Sequence, residues 1–229
     1  MLLKPGNRIL FIGDSITDCG RRRPIGEGSG ARALGDGYVS LVQAALLAGY
    51  ADYGLHVINM GVAGDTVHNL RDRWDSDVMA LRPDWLSIFI GINDAWRWTV
   101  DAFGAAERIE VTDYAKTLRD LIARTQPWLT GLILLTPYTL QPDRSDPLRR
   151  TMDEFGAAVR QQAASSGAVL ADTQAAFDRV MAWVDPLELS GDRVHVALAG
   201  HMVLARTVLE SLQYEWRRMP PGDRMGGTQ

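Results

Sequence analysis

Five compact apolar runs punctuate the chain: Arg8–Gly13, Leu55–Met60, Asp84–Ile90, Gly131–Thr136 and Ala168–Asp172. Runs that are apolar at almost every position suit strands buried on both faces, as in a parallel sheet. Between them lie longer segments with apolar residues at helical spacing: Tyr38–Gly49, Thr66–Ala80, Val111–Gln126, Pro147–Ser166, Thr173–Val184 and Leu198–Glu215. Thr66 is an N-cap candidate, and Gly49, Pro127 and Gly167 are stop signals. The alternation predicts a three-layer α/β/α sandwich around a five-stranded parallel sheet, in a single domain over residues 1–229. Two stretches read as irregular. Residues 21–37 carry five glycines and several arginines, too glycine-rich for an element, and the tail 220–229 is expected to fray.

Composition narrows the class. With 229 residues, 46% hydrophobic and 23% charged, the chain is an ordinary globular protein, neither disordered nor fibrous. A net charge of −4 gives no electrostatic case for nucleic acid or an anionic membrane. No apolar run approaches the ~18–20 residues of a membrane span. The single cysteine, Cys19, cannot form an intrachain disulfide. With no apolar leader core near the N-terminus, the expected location is cytoplasmic.

Ligands of open α/β sheets bind outside the carboxyl ends of the strands. The first run is followed by Gly13-Asp14-Ser15-Ile16-Thr17, the second by Gly61-Val62-Ala63-Gly64, and the third by Gly91-Ile92-Asn93-Asp94. Asp192-Arg193-Val194-His195 precedes the last helix. Together these suit acyl transfer. Ser15 is a hydroxyl nucleophile that needs a base. His195 can be that base, since imidazole is the side chain suited to proton transfer near neutral pH, and Asp192 can fix its tautomer. The backbone N–H groups of Ser15 and Gly61, with the Asn93 amide, can receive an oxyanion.

These four blocks, from Arg8 to about Trp216, resemble those of the GDSL/SGNH hydrolase superfamily. The resemblance implies a flavodoxin-like SGNH fold, with Ser15 as nucleophile, Asp192 and His195 as its partners, and Ser15, Gly61 and Asn93 as the oxyanion hole. The segments 13–21, 146–153, 172–177 and 192–195 are similar to those of intracellular bacterial acetylxylan esterases. What that implies is removal of acetyl groups from xylo-oligosaccharides by a homo-oligomeric cytoplasmic enzyme. One position departs: Val196 stands where the family commonly has Pro after the histidine, which is expected to loosen the His195 loop.

Plainer readings stand beside these. Ser15 can cap a helix, Gly61 and Gly64 can be turn glycines, and Asn93 can be a turn residue. Asp14 is expected to fix its turn, and Cys19 to be a bystander thiol. Arg21, Arg22 and Arg23 are read as a solvated loop or an inter-subunit contact. His56 and His68 read as structural, and His201 would face away from His195, so no metal site is expected. No dinucleotide fingerprint or phosphate loop is present, so no cofactor is expected. Trp96 and Trp98 follow Asn93 and are candidates to line the site, where flat rings stack on sugars. The alternatives are a broader short-chain carboxylesterase or lysophospholipase, and a non-catalytic GDSL-like binding scaffold. A flavodoxin-like cofactor binder fits the layers equally well.

Overall fold

The computed structural model describes residues 1–98 and 108–222. The five expected strands form β1 (Arg8–Gly13), β3 (His56–Asn59), β4 (Trp85–Phe89), β5 (Gly131–Leu135) and β6 (Val169–Ala171), all parallel to one another. The sheet has six strands rather than five. A two-residue strand, β2 (Gly26–Glu27), pairs antiparallel with Ile58 and Asn59 of β3 at one edge. It comes from the segment read as too glycine-rich for an element. Two residues need no periodicity, so the pattern carries no trace of it.

The order is β2-β3-β1-β4-β5-β6. Counting only the parallel strands gives 2-1-3-4-5, the flavodoxin-like order, with its switch point between β1 and β4. Both strands are buried almost throughout, which is why they read as continuous apolar runs.

The helices form two groups. On one side α2 (Tyr38–Tyr50) packs on α9 (Leu198–Ser211), and α9 on α7 (Thr173–Met181). On the other, α5 (Val111–Thr125) packs against α3 (Val67–Asp72) and α6 (Pro147–Ser166). Right-handed crossovers from a central strand to both edges require this division. The predicted helix 66–80 is shorter: α3 ends at Asp72 and a wider π turn covers Asp75–Met79.

Three short helices lie outside the segments read as helical. They are α1 (Ser15–Asp18) and α4 (Ile92–Trp96), directly after β1 and β4, and α8 (Pro186–Leu189). The last is capped by Asp185, with Pro186 at its first turn. Residues 223–229 of the tail expected to fray lie outside the described residues.

Candidate active site

The site grows from the carboxyl ends of β1, β3 and β4. Asp14 caps α1 by accepting the Ile16 N–H at 3.0 Å, which fixes the turn out of β1. Ser15 is the first residue of α1, so its N–H lies among the amides that a helix leaves without an internal acceptor. After β4, Gly91 turns the chain at φ +122°, a conformation open to glycine, and α4 begins. Asn93 lies in its first turn, and its Nδ2 donates to the Asp65 carbonyl at 2.9 Å. That bond uses one amide hydrogen and leaves the other to point elsewhere.

From the far end of the chain, the loop before α9 returns to the same place. Ser15 Oγ lies 3.0 Å from His195 Nε2, and His195 Nδ1 lies 2.7 Å from Asp192 Oδ2. The two side chains are half-exposed, at 49% and 46% for His195 and Asp192. Burial pulls the Asp192 carboxyl upward. Donors from His195, the Val194 and His195 amides and Ser190 outweigh it, holding Asp192 at about 2. Asp192 is therefore a carboxylate at neutral pH.

Val196 does not leave this loop slack. It is buried against Gly200, where a Cβ would come within 2.5 Å of it. Tyr138 Oη donates to the Val194 carbonyl at 2.7 Å, Leu140 N to the Arg193 carbonyl at 2.8 Å, and Ala197 N to the Leu189 carbonyl at 2.7 Å.

Gly61 is a correction. Its N–H points inward and donates to Asn59 Oδ1 at 2.9 Å, while its carbonyl accepts Arg21 Nε at 2.8 Å. Asn59 is fully buried, so the Gly61 amide is spent on the interior and cannot meet an oxyanion. Gly64, three residues further on, differs from Gly61. It is exposed, adopts φ +84°, and its N–H finds no acceptor among the described residues. It neighbours Asp65, whose carbonyl anchors Asn93. The signal missed in the sequence was Gly64-Asp65-Thr66, a glycine opening onto a helix cap. Thr66 and Asn69 form the capping box of α3.

Arg21 is a second correction. It is 5% exposed and donates to the Gly61 and Pro24 carbonyls, and burial, with Arg23 nearby, lowers it to about 10. Arg23 pairs with Asp18 at 2.6 Å, and Asp18 Oδ2 also accepts the Ala63 N–H at 3.0 Å. Arg73 ties the same loops from the other side. It reaches the carbonyls of Gly13 and Met60 at 3.0 and 2.6 Å, and the carboxylates of Asp65 and Asp77 at 2.6 and 2.7 Å.

Of the two tryptophans, Trp96 is brought to the triad, with ring centroids 6.2 Å from His195. Trp98 is not. Its Nε1 donates to the Ile109 carbonyl at 2.9 Å and the Arg108 guanidinium lies over its ring.

Three side chains near the strand ends are buried in ways the sequence did not signal. Asp14 and Asp94 are fully buried, and each has one carboxyl oxygen without a partner among the described residues. Burial pushes both up to about 7, against amides of Ile16 and Val67 that pull down. Cys19, one turn after Ser15, has its Sγ 3.5 Å from His201 Nε2, so α1 is tied to α9. Burial, with Asp18 close by, pushes the thiol up to about 12, which makes it inert as a nucleophile. Among the described residues no cluster of His, Cys, Asp or Glu has the arrangement of a metal site.

The arrangement has known relatives. Residues 11–203 match the GDSL-like Lipase/Acylhydrolase family. The chain is 47% identical to the acetylxylan esterase of Geobacillus stearothermophilus over 218 residues, 95% of this chain and 99% of the relative. The crystal structure of that esterase, Axe2, superposes with a TM-score of 0.93 over 95% of this chain and 99% of its own. Another structure of it is a catalytic mutant in which a serine is replaced by alanine. LAE5, an alpha/beta hydrolase enzyme from the metagenome of Lake Arreo, Spain, is 41% identical with a TM-score of 0.91, covering 93% of this chain and 98% of its own.

Proposed function

The chain belongs to the GDSL-like Lipase/Acylhydrolase family, and on that premise we propose that it removes O-acetyl groups from xylo-oligosaccharides with Ser15 as nucleophile. The observation that carries this reading is the unbroken relay Ser15–His195–Asp192, with links of 3.0 and 2.7 Å, at the switch point of the sheet. His195 takes the Ser15 proton as Oγ attacks the acetyl carbon, and returns it to the departing sugar hydroxyl. Water then attacks the acetyl-enzyme with His195 again as base. Asp192 holds the imidazole tautomer that accepts at Nε2. The oxyanion is received by the Ser15 N–H, the Gly64 N–H and the free hydrogen of Asn93 Nδ2. Trp96, beside His195, offers a face on which a sugar ring can stack.

The acetylated sugar comes from the relatives, for the Geobacillus protein is described as an acetyl-xylooligosaccharide esterase. The reading is tested by turnover of acetylated xylo-oligosaccharides by the wild type and Ser15→Ala. Acetate release that needs Ser15 supports it. Equal or better turnover of octanoyl esters would move the protein to the lipase-like class.

We further propose a cytoplasmic homo-oligomer. Trp183, Met219, Leu198 and Leu187 are 90%, 78%, 68% and 61% exposed, large apolar side chains that a second subunit could cover. Light scattering that returned a mass of 25.3 kDa would reject assembly. Among the described residues no helix is long and apolar enough to cross a membrane.

A further inference from the structure

Ser190 ends α8 and is 3% exposed, although the two triad residues beside it are half-exposed. Its Oγ lies 3.0 Å from Asp192 Oδ1 and 2.9 Å from the His195 carbonyl oxygen. The Asp192 N–H approaches the same Oγ at 3.4 Å. One buried hydroxyl thus touches the acid by its side chain and its backbone, and the base by its backbone. The division of labour on the carboxylate is complete. Oδ1 collects Ser190 Oγ, Val194 N at 2.9 Å and His195 N at 2.7 Å, and Oδ2 is left to His195 Nδ1.

A partial rotation of the carboxylate about its χ2 would stretch the contacts at Oδ1 together with the bond to His195. The two amide donors belong to the loop itself and move with it. Ser190 is the donor that comes from outside the turn, through α8, whose end is fixed by Ser190 N on the Pro186 carbonyl. A hydrogen bond from a hydroxyl to a carboxylate is of the stronger, charge-assisted kind. At a half-exposed triad, water competes for the same oxygen, and a buried donor that cannot move away is the protein's means of excluding it.

We propose that Ser190 is a positioning residue of the triad, whose hydroxyl locks the Asp192 carboxylate so that Oδ2 faces His195. This rests on the esterase reading above, in which Asp192 and His195 act on Ser15. The role is set by local chemistry: an acceptor-rich carboxylate, a single hydroxyl hydrogen and a backbone carbonyl of the base, all within 3.0 Å.

The test compares wild type, Ser190→Ala and Ser190→Cys on an acetyl ester, with Ser15→Ala as the blank. Ser190→Ala is expected to lower kcat about tenfold, with KM within about twofold, because the loss falls on the relay and not on substrate binding. With one donor gone, the carboxylate attracts the imidazolium proton more strongly. The acid limb of the kcat/KM profile should therefore move to higher pH by about half a unit. A residue that only packs the loop would lower the melting temperature and leave that limb in place. Ser190→Cys, nearly the same size with a weak donor, should fall between the two. It carries the test alone if the alanine variant does not fold.

Wild-type kcat in Ser190→Ala, or a drop with an unmoved limb, overturns the proposal. Failure of the esterase reading looks different: wild type and Ser15→Ala would be equally inert on acetyl esters. The low-field proton resonance of the His195–Asp192 hydrogen bond still reports on Ser190 in that case, since it needs no substrate. It should shift in Ser190→Ala, and an unchanged resonance rejects the role.

Discussion

A methyl group added to Gly61 would overlap the backbone of Thr17 and Asp18, whereas one added to Gly64 would meet nothing within 4 Å. The two glycines are needed for different reasons. Gly61 lets β3's exit pass against α1, and Gly64 lets the chain turn at positive φ and present its N–H. Gly61→Ala should therefore cost about 3 kcal/mol through overpacking. In a chain of this size that is a fall in melting temperature of about 6–12 °C. Gly64→Ala should cost only about 1 kcal/mol for its backbone conformation, while lowering kcat. Thermal melts and kinetics on the pair check this, and a kinetic defect in Gly61→Ala without lost stability would restore Gly61 as the donor. Asn93→Ala should lower kcat by roughly 10²–10³ with KM little changed, and an effect confined to KM would make Asn93 a substrate contact. The residue types of the relay were legible because acyl transfer demands a hydroxyl, an imidazole and a carboxylate near strand ends. The direction of an amide was not legible. Gly61 N–H is claimed by the Asn59 side chain, and nothing in the string of letters says where Asn59 points.

Among the elements, Arg73 stands just beyond α3 and gathers the exits of β1 and β3 through the Gly13 and Met60 carbonyls. Its side chain is 16% exposed, and Asp65 beside it is 10% exposed. Arg73→Met should cost about 3–5 kcal/mol, because it leaves Asp65 buried without its cation. It should also reduce kcat, since Asp65 carries the carbonyl that aims Asn93. Denaturant unfolding and kinetics of the variant measure both, and a loss of stability with unchanged kcat would separate the brace from the site. The parallel strands were readable because burial on both faces makes every position apolar. β2 was not, because its two residues pair with Ile58 and Asn59 through backbone alone. The segment 66–80 read as one helix, yet it divides where Arg73 turns inward to its carbonyls, a polar demand that helical spacing cannot express.

For the molecule as a whole, the buried carboxyls of Asp14 and Asp94 set a pH dependence. Both are raised by burial from 3.8 to about 7. Between about pH 4 and pH 7 the folded protein keeps protons that the unfolded chain has released. Their contribution to stability is thus present at the acid side of that window and is lost as pH rises through it. Asp192, held at about 2, acts in the other sense and only as pH falls below about 4. Asp14→Asn and Asp94→Asn keep the shape and the acceptor oxygen without the charge. Each should gain melting temperature relative to wild type as pH is raised from 5 to 8. A difference that stays flat across that range would show that neither carboxyl titrates there. The three-layer architecture was legible at this scale because one period alternates with another along the chain, whereas charge buried under the site depends on packing between segments far apart. The relay itself joins residues 180 positions apart. Synthesis at roughly 5–20 residues per second adds Ser15 to the chain some 10–35 s before His195. Through that interval the serine is an unarmed alcohol. On the proposed relay, separated halves of a polypeptide cut between the two should be silent, and turnover regained on mixing them would report their reassembly.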